Sequence, residues 1–377
     1  MSQPHLTIKK YFRKLEDPRL NRRKRHLLLD IIVVAICGVI SGCNDWQQIE
    51  TFGRSRHDWL KRFLRLPNGI PSHDTFERVF DRLEPQAFQA CFRAWMQALH
   101  ESLGLCQIAI DGKTLRGSAR GDLKGLHLVS AWATANSLSL GQVAVAEKSN
   151  EIPAIPELLA LLDVHGALVT IDAMGCQKEI AEAIVNQGGD FVLTVKDNQP
   201  TLRAHIEMCF AKALENDFAG LQHDHYQTAE RSHGREETRC YDIILDPPAL
   251  AVMGWPQVLV IGMCGRERIC NGKVSTEVNY FIGSRKAKAK TYGQALRNHW
   301  GIENGLHWLL DVTFAEDKNR VSKRHGAANL AEVRRVALSL LKQHPDKRSI
   351  ACKRLRAALE PAFLEEILRI DGNSEKV

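Results

Sequence analysis

The sequence predicts a mixed α/β chain in which an all-helical, basic N-terminal domain precedes a core of strands and helices interrupted by a β-rich block. Three observations carry this. Apolar residues recur at spacings of three and four through residues 1–100, the period turns extended at residue 105, and a second group of extended runs at 223–284 gives way to an amphipathic helical pattern.

Each element has its own signal. "LLLDIIVVAICGVI", "WQQIETFGRSRHDWLKRFL" and "QAFQACFRAWMQALH" are helical in period, and "GIPSHDTFERVFDRL" carries a helix entry, with Ser72 before Asp74 and Glu77. "CQIAI" reads as a short buried strand ending at Asp111. "LHLVSAWATA" and "LGQVAVAE" form an antiparallel pair around "NSLS". A helix, "IPAIPELLALLD", leads to the strand "GALVTI", which ends at Asp172. Then "CQKEIAEAIVNQ" stops at Gly188 and Gly189, and "DFVLTV" makes a further buried strand before Lys196. Residues 199–218 are helical, four candidate strands follow, and "TYGQALRNHWGIENGLHWLL" resumes the helical pattern. The expected divisions are 1–100, a helical DNA-binding domain; 105–218, the first part of the core; 219–286, a β-rich insertion; and 287–377, the helical remainder with a basic C-terminal segment.

Composition fits a water-soluble globular chain of 377 residues, 44% hydrophobic and 25% charged. The longest apolar run, residues 27–43, is short for a membrane span and contains Asp30, so a buried helix and a cytoplasmic protein are expected. Ten cysteines without a CxxC pair suit reduced structural thiols. The net charge of +7 is unevenly spread, and residues 318–356 hold 12 basic against two acidic side chains, a pattern suited to a polyanionic partner or to solvated helix faces. No GxGxxG after a strand, GxxxxGK[ST] or GxSxG is present, which argues against nucleotide-dependent or serine-hydrolase chemistry.

The chemistry lies in carboxylates. Asp111 and Asp172 each close an apolar strand, where side chains of neighbouring parallel strands converge on ligands; turn or N-cap roles are the plain alternative. Glu303 shares a helical face with His299, Leu306, His307 and Leu310, so an uninterrupted helix packed on a sheet would point it inward. Burying an unpaired carboxylate costs several kcal/mol, on the order of the effective penalty for an ion in protein. A divalent ion would compensate it, as would a salt bridge to Arg297 or another basic residue. Three carboxylates form the hard oxygen set that Mg²⁺ or Mn²⁺ accepts, and two such ions would activate a hydroxyl and stabilise a leaving oxygen at phosphorus. Trp300 and Trp308 read as core residues, with base stacking as the alternative.

"IAIDGKTLRGS", "KSNEIPAIPELL", "VTIDAMGCQKEIA", "FVLTVKDNQPTL" and "RNHWGIENGLHWLLDVTFAEDKNR", in this order, resemble the H-repeat-associated proteins, a branch of the bacterial insertion-sequence DDE transposases. The resemblance spans nearly the whole chain. It implies a ribonuclease-H-like core with a β-rich insertion, and Asp111, Asp172 and Glu303 match the three metal-binding acids. Also implied are two Mg²⁺ or Mn²⁺ ions, double-stranded DNA carrying transposon terminal repeats as partner, and a homo-oligomer on DNA. Lys113, Arg116, Lys196, Asn198, Gln199, Arg297, His299, Asn304 and His307 are the candidate DNA contacts. Related transposases often carry Arg four residues before the glutamate and Lys seven after it; here His299 and Leu310 occupy those offsets. That break leaves a catalytically inactive, transposase-derived DNA-binding protein as the competing expectation.

Overall fold

The computed structural model describes residues 8, 10–21, 24–101, 107–119, 124–145, 151–232 and 235–368. Cys106 and residues 146–150, which the sequence places at strand and helix ends, lie outside them. The chain falls into two compact units, one from residues 1–105, 112–150 and 303–377, the other from residues 106–111 and 151–302.

The first unit is largely helical. It contains α1 (Leu28–Ile40), α2 (Trp46–Ser55), α3 (His57–Leu60), α4 (His73–Phe80) and α5 (Pro85–Glu101). Its C-terminal part adds α10 (Trp308–Val312), α11 (Gly326–Gln343), α12 (Ile350–Leu359) and α13 (Pro361–Leu368). The apolar run of the sequence is α1, a helix of 13 residues whose Asp30 is buried and accepts a hydrogen bond from the Leu66 N–H at 2.8 Å. Among the described residues no helix is long and apolar enough to cross a membrane. Helix α11 is the hub of this unit. It packs on α1, α4, α5 and the antiparallel pair β2 (His127–Ala133) and β3 (Leu138–Val145), and Asn329 donates to the carbonyls of Phe80 and Leu83.

The hub position overturns one expectation. The basic segment 318–356 does not present a solvated cationic face throughout, because Arg334, Arg335, Lys353 and Arg354 are buried in this unit. Arg354 donates to the carbonyls of Val39 and Thr313, and Lys353 to those of Leu341 and His344. These side chains saturate carbonyls that helix ends leave open.

The second unit is a sheet with helices. Its strands are the first part of β1 (Gln107–Thr114), β4 (Leu168–Ile171), β5 (Asp190–Val195), β6 (His223–Ser232), β7 (Arg235–Leu245), β8 (Val260–Cys270) and β9 (Lys273–Gly283), in the order β1-β4-β5-β9-β8-β7-β6. β1, β4 and β5 run parallel, and β9 joins β5 antiparallel, Val192 opposite Gly283. The β-rich block is thus a meander that continues the core sheet. Asn271 and Gly272, both at positive φ, make the tight β8–β9 hairpin turn.

Helices α6 (Glu151–Ala160), α7 (Lys178–Asn186), α8 (Pro200–Glu215) and α9 (Ala289–His299) complete the unit. Ala289, Tyr292 and Ala295 of α9 pack with Leu168, Val192, Ile243, Val260 and Phe281.

Gly262 faces Phe281 across β8 and β9, and a Cβ there would overlap the phenyl ring. Gly262→Ala is therefore expected to cost about 1–3 kcal/mol through overpacking, measured as a lower urea midpoint at unchanged slope.

Candidate active site

The parallel register of β1 and β4 pairs Gln107 with Leu168 and Ile110 with Ile171. Asp111, the next residue of β1, and Asp172, the first residue after β4, follow this paired stretch directly; β1 itself does not end at Asp111 as its apolar run predicts but continues to Thr114. Asp111 is half-buried and Asp172 is exposed. Asp172 also caps a one-turn 3₁₀ segment, Ala173–Gly175, accepting from the Met174 N–H at 3.1 Å. The capping role and a ligand role are compatible, since a carboxylate has lone pairs to spare. Gly175 lets this turn fold against Ile171, where a Cβ would collide.

A polar chain lies under the two aspartates. Gln107 donates to the Ala295 carbonyl of α9 at 2.7 Å and to Thr170 Oγ1 at 3.2 Å, and Thr170 Oγ1 lies 3.0 Å from His299 Nδ1. Burial pushes the His299 pKa down, opposed by the neighbouring Asp172 charge. Its ring is accordingly a neutral link between the end of α9 and β4. Gln107 and Thr170 went unnoticed in the sequence, because each is a single polar residue inside an apolar strand pattern.

The other sequence candidates separate into two groups. Lys196 is exposed after β5, Arg116 is exposed after β1 with its guanidinium 3.7 Å from Asp317, and Asn304 is exposed beside Glu303. The remainder are engaged within the protein. Asn198 Nδ2 donates to the Ala173 carbonyl at 2.6 Å and Gln199 Nε2 to the Cys176 carbonyl at 2.9 Å, bracing the loop that follows Asp172. Arg297 pairs with Glu230 at 2.7 Å. Lys113 is buried, with its ammonium on Asp311 and 2.8 Å from Glu316.

Glu303 departs from its expected environment. It is exposed, so no burial penalty calls for a cation at this position. The helical pattern is broken by a turn at Trp300, and Glu303–His307 form a π-helical turn before α10. A π-turn changes the angular phase, so the 100° projection across residues 299–310 fails. The same break turns Trp300 and Trp308 outward, 52% and 55% exposed, against the expectation of core positions.

The buried carboxylate of this stretch is Glu316. Burial pushes its pKa up, yet Arg335, Lys113 and Arg334 outweigh that and hold it at about 2. Arg335 Nη1 is 3.1 Å from it, and both side chains are fully buried. Nothing in the sequence marks this glutamate, because its partner Lys113 lies 203 residues away. His307 is held at about 3 by burial, then by the positive Arg335 and Lys113.

Among the described residues no group of three or more His, Cys, Asp and Glu stands as a ready metal cage. The two aspartates still fit a hard cation. Mg²⁺ is commonly held by one or two carboxylates together with substrate phosphates and waters, and Asp111 and Asp172 supply oxygen donors alone. The described cysteines are all free.

Residues 102–340 match the family described as Transposase DDE domain, and residues 9–96 the one described as DDE_Tnp_1-associated. The Escherichia coli K12 protein named "H repeat-associated putative transposase YhhI" is 40% identical over 371 residues, covering 96% of this chain and 97% of that protein. "Putative transposase YncI" of Escherichia coli O157:H7 is 39% identical over 366 residues, covering 95% and 93%. Among solved structures, the piggyBac transposase synaptic complex with hairpin DNA is 12% identical with a TM-score of 0.43, covering 100% of this chain and 83% of that one. A likeness that low carries no argument.

His307 gives a pH prediction. With a folded pKa of about 3 against roughly 6.5 when unfolded, the unfolded chain binds the extra proton between those values. Stability from neutral His307 is full above the unfolded value and is lost as pH falls toward the folded one. Glu332, raised by burial to about 7, acts oppositely over part of this range, so the difference between two proteins is the useful quantity. His307→Gln is expected to flatten the acid-side fall of the melting temperature relative to wild type, as followed by circular dichroism from pH 7 down to pH 4.5.

Proposed function

Because the chain belongs to the DDE transposase family, enzymes of the DNA-cleaving kind, we propose that it carries out metal-dependent cleavage and strand transfer at the ends of an insertion-type element, with Asp111, Asp172 and Glu303 as its acids. The observation that supports this most directly is the parallel register that sets Ile110 opposite Ile171, so that Asp111 and Asp172 each follow the last residue of the paired stretch. DDE transposase domains in general use divalent metal ions. When bound, such ions supply Lewis-acid activation of a water or a 3′-hydroxyl and neutralise the leaving oxygen.

The protein's own residues have the following parts. Asp111 and Asp172 would hold the cation from neighbouring strands, and the bonds from Asn198 and Gln199 keep the loop behind Asp172 in place. Lys196 and Arg116, both exposed, contact phosphates, while Trp300 and Trp308 offer faces on which unpaired bases stack. Exposed cations of the N-terminal helices, such as Arg54 and Lys61, add sequence-independent affinity for duplex DNA. The terminal repeats of the element are the DNA partner, a homo-oligomer assembles on them, and the reaction takes place in the cytoplasm.

One observation favours the inactive, DNA-binding alternative. Leu310, at the offset where related transposases often carry Lys, is fully buried, and His299, at the Arg offset, is spent on Thr170. Neither position offers a cation to DNA.

The test uses terminal-repeat DNA, the purified chain and Mg²⁺. Wild type is expected to nick the element end, and Asp111→Asn, Asp172→Asn and Glu303→Gln to lower the rate by more than about 100-fold, at least the loss seen when a residue supporting a metal ligand is removed, while binding DNA as before. Unchanged cleavage in these variants would refute the acid assignment. Salt-sensitive binding with no nicking by wild type would favour the inactive reading.

A further inference from the structure

Two stretches of the sequence about 200 residues apart are bound to each other within the first unit. From "DGKTLRGS", Lys113 places its ammonium between Asp311 and Glu316, the Arg116 N–H donates to Asp317 Oδ1 at 3.1 Å, and Gly117 lies flat on the backbone of Asp317 and Asn319. A Cβ at Gly117 would overlap both carbonyls. The opposite stretch, "DVTFAEDKN", begins in α10, directly after the π-turn that opens with Glu303.

Lys113 is thereby removed from the pool of DNA-contacting cations. Its side chain is 9% exposed and two carboxylates already take its donors. Desolvating Lys113, Glu316 and Arg335 together offsets most of their mutual attraction, so an apolar filling of the same space would serve stability as well. A directional charge cluster adds a fixed geometry. Lys113 follows Asp111 by two residues on β1, and Asp311 follows Glu303 by eight along the turn and helix.

We propose that Lys113, through Asp311, is a positioning residue for Glu303: the bridge fixes the Gly112–Thr114 stretch of β1 to the helix that follows the π-turn opened by Glu303, all within the first unit. This rests on the acid assignment made above. Asp311 is the place to test it, since it is a third exposed and its loss leaves the Lys113–Glu316 pair intact.

Mn²⁺ binding to the full chain without DNA, read from the electron paramagnetic resonance of free Mn²⁺, is measured alongside the melting temperature for wild type, Asp311→Asn, Asp311→Glu and Asp111→Asn. Asp311→Asn is expected to weaken Mn²⁺ binding about tenfold, as for residues that orient metal ligands. Its melting temperature should fall by no more than about 4 °C, and Asp311→Glu should restore the affinity. If Asp111→Asn loses Mn²⁺ but Asp311→Asn binds it like wild type, the positioning role is wrong and the acids stand. If Asp111→Asn binds Mn²⁺ like wild type, or wild type does not bind it, the acid assignment fails and takes this role with it. Collapse of the fold in both Asp311 variants would make the bridge purely structural and overturn the proposal.

Discussion

The parallel pairing of β1 with β4 is the constraint on which the functional architecture depends. Parallel strands in register carry equivalent residues side by side, so following both apolar runs with aspartate sets Asp111 and Asp172 at neighbouring chain positions with no further device. The rest of the second unit protects that register. Gln107 and Thr170 satisfy each other and the end of α9 inside the sheet, where unpaired polar atoms would be costly. A hydrophobic pair at these positions would pack, but would not fix α9 along the strand direction.

The architecture is economical with its charged groups. Several candidate DNA ligands of the sequence are committed to internal bonds, and the exposed Lys196, Arg116 and Asn304 follow β5 and β1 or flank Glu303. The buried cations of α11 and α12 close carbonyls and balance Glu316. A basic composition is therefore a poor guide to the cationic surface in this chain, because part of the excess is spent inside.

What could be read from the sequence follows from the range of the interactions involved. The end of β4 before Asp172, the β-rich meander and the stop of α7 near Gly188 were legible, since local apolar period and turn residues set them; β1 runs on past Asp111 to Thr114, because its polar last residues carry no apolar pattern. Glu303 was legible as a chemically unusual residue and illegible in its environment, because five residues wound as a π-turn alter the helical projection without any sequence mark. Glu316 was illegible altogether. Its burial makes sense only beside Lys113 and Arg335, and one of those partners is contributed by a distant strand. The inward fate of Arg334 and Arg354 was hidden for the same reason.

The π-turn at Glu303–His307 has a consequence for how this segment can change over evolution. A π-turn takes up about one residue more than ordinary α winding, so deleting one residue there would let the backbone revert to α winding while Leu310 downstream kept the buried position it now has. The same deletion in regular α winding would rotate everything downstream by about 100°. Single-residue deletions among descendants of this chain should therefore be tolerated within these five positions before they are tolerated in the helix that follows.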